Sequence, residues 1–379
     1  MHRLPTAQAG HARPGQNKVI TMDKLLVVGA LGLVGRAVIE RFAGRPGLQA
    51  VGLARRAADF APGATWVRAD LRDAAATCAA LAPHLDTTHL VYAALHEQPQ
   101  LTQGWRDPAN MALNTRMLAH TLEALNGAPL RHVTLLQGTK AYGVHTGRPM
   151  RVPARETDAL RDHVNFYFDQ QDLVAEQAQR NGFGWTAFRP QIVLGVAVGS
   201  AMNPVAALGA QLALCRALGE PLRYPGHPHL LTECTDARLI AQAVEWAWQA
   251  PQAQGEVFNI ANGDVVLWRS VFDRLAAQFG LPLGQPAPQR LAELMPKQAG
   301  LWRQLAAREG LRVADLDALV GLSWQYADAT YASQRPFAVP PLVSTVKLRQ
   351  AGFAACIDTE DCIVEHLQAM QSQRYLPSA

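Results

Sequence analysis

Tyr167 and Lys140 are the side chains whose types and placing could do chemistry. Tyr167 stands in Asn165-Phe166-Tyr167-Phe168-Asp169-Gln170-Gln171-Asp172, and Lys140 in Gln137-Gly138-Thr139-Lys140-Ala141-Tyr142-Gly143. A phenol O–H and an ammonium are both hydrogen-bond donors, and both are groups that enzymes use in proton and charge chemistry. Either residue alone is more often an ordinary half-buried tyrosine or a solvated loop lysine. Together, on adjacent elements at the edge of a sheet where ligands bind, they favour function.

A second constellation lies upstream. Val27-Val28-Gly29-Ala30-Leu31-Gly32-Leu33-Val34-Gly35-Arg36 spaces three glycines as G-x-x-G-x-x-G where a buried strand turns into a helix. A Cβ there would obstruct the turn and keep the backbone from a pyrophosphate resting on the free N–H groups at the helix start. Gly29, Leu31, Gly32, Leu33, Val34 and Gly35 are therefore expected around a dinucleotide. The second strand then ends in Ala54-Arg55-Arg56, with no carboxylate until Asp59. An acid there would hold the ribose 2′-hydroxyl of NAD, whereas a guanidinium pair suits a 2′-phosphate. Arg55 and Arg56 thus point to NADP(H), and Asp70-Leu71 closes the third strand where the two could bracket the adenine.

Elements that would position these groups alternate along the chain. Strands are predicted at Lys24–Gly29, Gln49–Ala54, Thr65–Ala69, Thr88–Ala93, Arg131–Gln137 and Trp185–Arg189, with helices over Leu33–Ala43, Met111–Leu125 and Val164–Arg180, the last ended by Gly182. That alternation implies an α/β fold, a Rossmann doubly wound parallel sheet. After Pro190 the rhythm changes to helices at Pro204–Leu218, Ala237–Ala250 and Ser270–Phe279, with a returning strand at Val257–Ile260. The expected division is a flexible tail over 1–22, a dinucleotide-binding domain over 23–195 with Val257–Ile260 returning to it, and a smaller, mostly helical substrate lobe over 196–379.

Composition narrows the function classes. With 379 residues, 49% hydrophobic and 17% charged, the chain is globular and long enough for two or three domains. The net charge of +4 is spread along the length, without the concentrated basic footprint that binds nucleic acid. The longest apolar run, Leu25 to Gly35, is far short of a membrane span. Five scattered cysteines without metal-ligand spacing fit free thiols in a reducing compartment, so a cytoplasmic protein without a metal is expected.

The motifs taken together resemble the progesterone 5β-reductase/iridoid synthase-like enone reductases, atypical extended short-chain dehydrogenases. The resemblance rests on the glycine turn, Ala54-Arg55-Arg56, Asp70-Leu71, Gly138-x-Lys140-x-Tyr142 and Asn165-Phe166-Tyr167 with Asp172. It continues through Phe188-Arg189-Pro190, Met202-Asn203, Phe258 to Asp264 and Ala277-Gln278-Phe279-Gly280, nearly everything after Met22. Phe168, Gln171, Ala141 and Val144 depart from that pattern. Short-chain dehydrogenases usually place a lysine four residues after the tyrosine to lower its pKa for alcohol chemistry, and Gln171 stands there instead.

What the resemblance implies is 1,4-reduction of an activated C=C bond, with hydride passing to the β-carbon of a small apolar enone or enal and Tyr167 and Lys140 holding the enolate oxygen. Ala93, Gln137, Tyr167, Pro190, Val193, Ser200 and Met202 join the expected cofactor contacts. Tyr142, Phe166, Asn203, Trp324, Tyr326 and Phe337 are candidates for an apolar substrate pocket. A homodimer is left open. So are two other functions: a nucleotide-sugar epimerase or dehydratase, which shares the glycine turn and Arg189-Pro190, and a non-catalytic NADP-sensing regulator. If the 2′-phosphate argument holds, the double variant Arg55→Ala, Arg56→Ala weakens NADPH binding far more than NADH binding in a fluorescence titration; equal weakening removes it.

Overall fold

Strands buried on both faces need covering helices, and the chain supplies them in turn. In the computed structural model, which describes residues 22–337 and 339–378, the strands are β1 (Asp23–Val28), β2 (Leu48–Ala54), β3 (Thr65–Arg68), β4 (His89–Tyr92), β5 (His132–Leu136), β6 (Gly184–Pro190) and β7 (Glu256–Ile260). They form one sheet in the order β7-β6-β5-β4-β1-β2-β3. Every neighbouring pair is parallel. The tail expected over 1–22 lies, but for the exposed Met22, outside the described residues.

Leu25, Leu26, Val27 and Val28 of β1 are wholly buried, as the central strand of a two-sided parallel sheet requires. One face is covered by α1 (Leu33–Phe42), whose Val38, Ile39 and Phe42 share a core with Leu239, Ile240 and Val244. The other is covered by α2 (Ala74–Leu81), α3 (Pro108–Ala124) and α4 (Phe166–Asn181) through Leu81, Leu118 and Val174. Their starts follow from caps. Asp107 accepts from the Ala109 N–H at 2.9 Å and Pro108 takes the first turn, so α3 begins before Met111. Asn165 caps α4, so that helix begins at Phe166 instead of Val164. The alanine-rich α2 has no apolar periodicity to read, and only its cap Asp73, bonded to the Ala76 N–H at 3.0 Å, announces it.

Beyond β6 the chain builds a second core. It gathers α5 (Pro204–Leu218), Trp268, Trp302 and Tyr331, and the last long helix reaches it through Leu367 and Met370. The division at residue 195 needs one amendment. Helix α6 (Ala237–Gln249), assigned by sequence to the substrate lobe, packs on α1 and covers the sheet, because its Leu239, Ile240 and Val244 form an apolar stripe that the sheet face lacks without it.

The turn from β1 into α1 depends on three glycines doing different work. Gly29 has φ +84, and a Cβ there would lie 2.6 Å from the Ala94 nitrogen. A Cβ on Gly35 would lie 2.3 Å from the Gly29 carbonyl oxygen, so this position lets the helix approach the strand. Gly32 meets nothing nearer than 3.4 Å. Gly35→Ala should therefore destabilise the protein by about 1–3 kcal/mol in urea unfolding. Gly32→Ala should leave the unfolding midpoint near wild type and weaken dinucleotide binding; the reverse pattern would refute this division of roles.

Candidate active site

Strand order reverses between β4 and β1, and in doubly wound sheets the crevice at that point, outside the carboxyl ends of the strands, receives ligands. Here it opens into a cavity of about 610 Å³, closed on its far side by residues 198–202 and by the short helix Ser323–Ala329 with the residues flanking it.

At the β1 end the wall is formed by Gly29, Leu31, Gly32, Leu33 and Val34, with Arg55 and Arg56 from the end of β2 and Asp70 and Leu71 after β3. Ala93, Gln137, Pro190, Val193, Ser200 and Met202 line the same cavity. Gly35 does not; it sits behind the turn and packs against the backbone of Gly29 and Ala30. Helix α1 starts at Gly32 with no side chain on its first-turn N–H groups, which leaves them free for a pyrophosphate. Arg56 Nη2 also donates to the Val198 carbonyl at 2.9 Å, tying the second strand to the loop across the cavity. Hydrogen bonds from Arg72 hold the Asp70 carboxyl down at about 2.

Deeper in, the cavity is lined by both Tyr167 and Lys140. One asparagine sets them side by side. Asn165 Oδ1 accepts the Tyr167 N–H at 3.1 Å as the cap of α4, while its Nδ2 donates to the Lys140 carbonyl at 3.1 Å. His163 Nε2 lies 3.2 Å from that same carbonyl. The Lys140 ammonium is buried 4.8 Å from the Trp105 ring centre and 5.7 Å from that of Tyr167. Glu97 Oε1 stands 3.7 Å from it and accepts from Trp105 Nε1 at 3.1 Å.

Burial pulls the Lys140 ammonium below the ordinary lysine range and pushes the Glu97 carboxyl up, while their mutual attraction opposes both shifts. Burial and then the Glu97 charge raise the Tyr167 phenol, so it stays protonated as a donor. His145, which also lines the cavity, is held at about 4 by burial and by Lys140, and is neutral at pH 7.

Gln171, in place of a lysine, accepts from Gln137 Nε2 at 3.2 Å. Gln137 in turn donates to the Tyr167 carbonyl at 2.9 Å and accepts from Arg189 Nε at 2.8 Å. A lysine there would set a second cation into this buried chain beside Arg189. Glu97, Trp105 and His145 were not singled out from sequence. The available signal was position: Glu97 follows the carboxyl end of β4 as Lys140 follows that of β5.

Three pocket candidates are corrected. Tyr142 is buried beneath the floor, its hydroxyl donating to Asn259 Oδ1. Asn203 caps α5, accepting from the Ala206 N–H at 3.2 Å and donating to the Ala197 carbonyl at 2.9 Å. Trp324 is packed inside the lobe core. Each has a structural partner that turns it from the cavity. Phe166, Tyr326 and Phe337 do line it. Elsewhere Asp236, Cys362 and His366 lie close enough to share an ion, but Arg238 already occupies both Asp236 oxygens, Oδ1 through its backbone N–H at 2.7 Å and Oδ2 through Nη2 at 2.6 Å, which leaves a charge-compensated helix cap.

The sequence profile of the NAD dependent epimerase/dehydratase family matches residues 25–261. The chain belongs to that family. It is an oxidoreductase of the short-chain dehydrogenase/reductase superfamily, and its curated relatives place it in the progesterone 5β-reductase/iridoid synthase-like group. An (S)-8-oxocitronellyl enol synthase from Antirrhinum majus is 28% identical over 93% of this chain and 92% of that protein. Another, from Nepeta cataria, is 30% identical over 82% of this chain and 83% of that protein. Among solved structures, a UDP-glucose 4-epimerase from Thermotoga maritima superposes with a TM-score of 0.65 over 92% of this chain and 99% of its own, at 14% identity, a likeness of fold. The Thermus thermophilus UDP-glucose 4-epimerase in complex with NAD gives 0.61 over 91% and 99%, at 18% identity. Among the described residues no helix is long and apolar enough to cross a membrane.

Asn165 can be tested as the residue that registers the two donors. Asn165→Ala should cost about 1–2 kcal/mol of stability and lower turnover. Asn165→Asp still caps the helix but cannot donate to the Lys140 carbonyl, so it should restore the unfolding midpoint without restoring turnover; recovery of both would dismiss the role.

Proposed function

We propose that this protein catalyses NADPH-dependent 1,4-reduction of the C=C bond of a small apolar enone or enal. The observation that carries the reading is that Tyr167 and Lys140 border one cavity as donors, while the position one helical turn after the tyrosine, where a lysine would make it a base, holds Gln171. Epimerase and dehydratase chemistry asks the tyrosine to strip an alcohol proton. Reducing a conjugated C=C bond asks only for hydrogen bonds to an oxygen that becomes negative, and a phenol kept protonated by burial suits that task.

A dinucleotide held by its pyrophosphate at the α1 N-terminus would supply, from its reduced nicotinamide, the hydride that joins the β-carbon. Gly32 leaves the backbone open to the pyrophosphate, and Arg55 and Arg56 stand where a 2′-phosphate would be held. Asp59, the first carboxylate after β2, is paired with Arg312 of the lobe and does not line the cavity. Pro190, Ile192 and Val193 form the apolar floor on which the reacting centres meet, and Phe166, Tyr326 and Phe337 exclude water from the carbon skeleton. Tyr167 and Lys140 donate to the carbonyl oxygen as the enolate forms, and solvent protonates the α-carbon. The relatives named for making an enol support this reading, since an enol is the protonated form of that same oxyanion.

Purified protein with NADPH and a panel of cyclic enones, linear enones and enals should oxidise the cofactor, read by its absorbance. Consumption of none of them, with rapid NADP-linked oxidation of a secondary alcohol instead, would overturn the reading. Lys140→Met should lower turnover about 10²–10³-fold, and Tyr167→Phe by a comparable factor, with NADPH binding retained.

A further inference from the structure

Glu97 is a charged side chain of the cavity, beside Lys140, that the proposed reaction does not use. It is 5% exposed at the side chain, held by the Trp105 indole N–H, and 3.7 Å from the ammonium of Lys140. We propose that Glu97 is a specificity-determining residue that confines the cavity to uncharged conjugated carbonyls and rejects α,β-unsaturated carboxylates. The inference rests on the functional reading above and adds the substrate class.

The argument is one of charge. An enone and the corresponding 2-enoate present the same C=C–C=O unit, and a buried ammonium beside a phenol O–H would by itself form a strong site for the anion. With Glu97 beside it, the positive charge of Lys140 is already matched. A carboxylate brought to the two donors would place a second negative charge within a few ångströms of the first in a water-poor cavity, where like charges repel strongly.

Other groups near the pair do not restore a positive field. His145 is neutral at pH 7. The buried guanidinium of Arg189 lies under the floor, bonded to Gln137, Tyr142 and the Glu156 carbonyl at 2.8, 3.3 and 3.3 Å. Arg106 is turned to the His145 carbonyl at 2.9 Å. Meanwhile Lys140 Nζ is enclosed yet has no hydrogen-bond partner among the described residues, so none of its donors is committed to another acceptor.

Isothermal titration of the whole protein with trans-cinnamate and its uncharged analogue cinnamamide, each with NADPH bound, tests this. Wild type should bind the amide at least about tenfold more tightly than the anion, and Glu97→Gln should bind cinnamate at least about tenfold more tightly than wild type does. Glu97→Asp should keep the exclusion, and adding Lys140→Met to Glu97→Gln should abolish the gain. Equal affinity of wild type for the two ligands overturns the proposal, as does a Glu97→Gln protein that binds NADPH normally yet gains no affinity for cinnamate. If that variant does not fold, the wild-type pair of ligands still decides. Failure of the functional reading is seen separately, as NADPH left unconsumed across the enone panel.

Discussion

Taking an ammonium out of water costs several kcal/mol unless its surroundings compensate, and Lys140 sits in this cavity without one hydrogen-bond acceptor of its own among the described residues. What surrounds it is a set of partial compensations: the Glu97 carboxylate and the faces of Trp105 and Tyr167. Its backbone is held where its head is not. Asn165 grips the Lys140 carbonyl from the start of α4, so the lysine can keep its donors unspent without the loop giving way. Free donors on a fixed backbone are what electrostatic stabilisation of a growing oxyanion requires.

The same logic accounts for the neutral side chain at position 171. A lysine one turn after Tyr167 would meet a buried chain of hydrogen bonds that already contains the Arg189 guanidinium. Gln171 completes that chain without adding charge, and the positive group of the site comes from a different element. The tyrosine, with burial raising its pKa, is then a donor throughout the physiological range and a poor base. A fold shared with sugar-nucleotide epimerases at 13–18% identity thus carries a glutamine, not a lysine, one turn after this tyrosine.

Much of the frame was legible in the residues. The seven strands lie where β-rich runs predicted them, with ends shifted by a residue or so, because strands covered on both faces read as unbroken apolar runs. Helix starts were misjudged where a polar cap set them, as with Asp107 and Asn165, and α2 was missed because alanines show no periodicity. Within the cavity, the residues expected at the glycine turn and at the strand ends do line it, apart from Gly35. The aromatic and polar candidates fared worse: Tyr142, Asn203 and Trp324 are buried in structural roles, since an aromatic ring or an asparagine reads the same in sequence whether it faces a cavity or a core.

The sequence alone determined the turn and the arginine pair, because these are local: Gly29 must bend at φ +84, and a Cβ on Gly35 would lie 2.3 Å from the Gly29 carbonyl oxygen. It also placed a tyrosine and a lysine at the ends of neighbouring elements. Only the tertiary structure decided that they share a cavity with Glu97, that α6 belongs to the sheet, and which aromatic rings line the cavity. Those are contacts between residues tens to hundreds of positions apart, set by how helices and strands pack, and no local spacing encodes them.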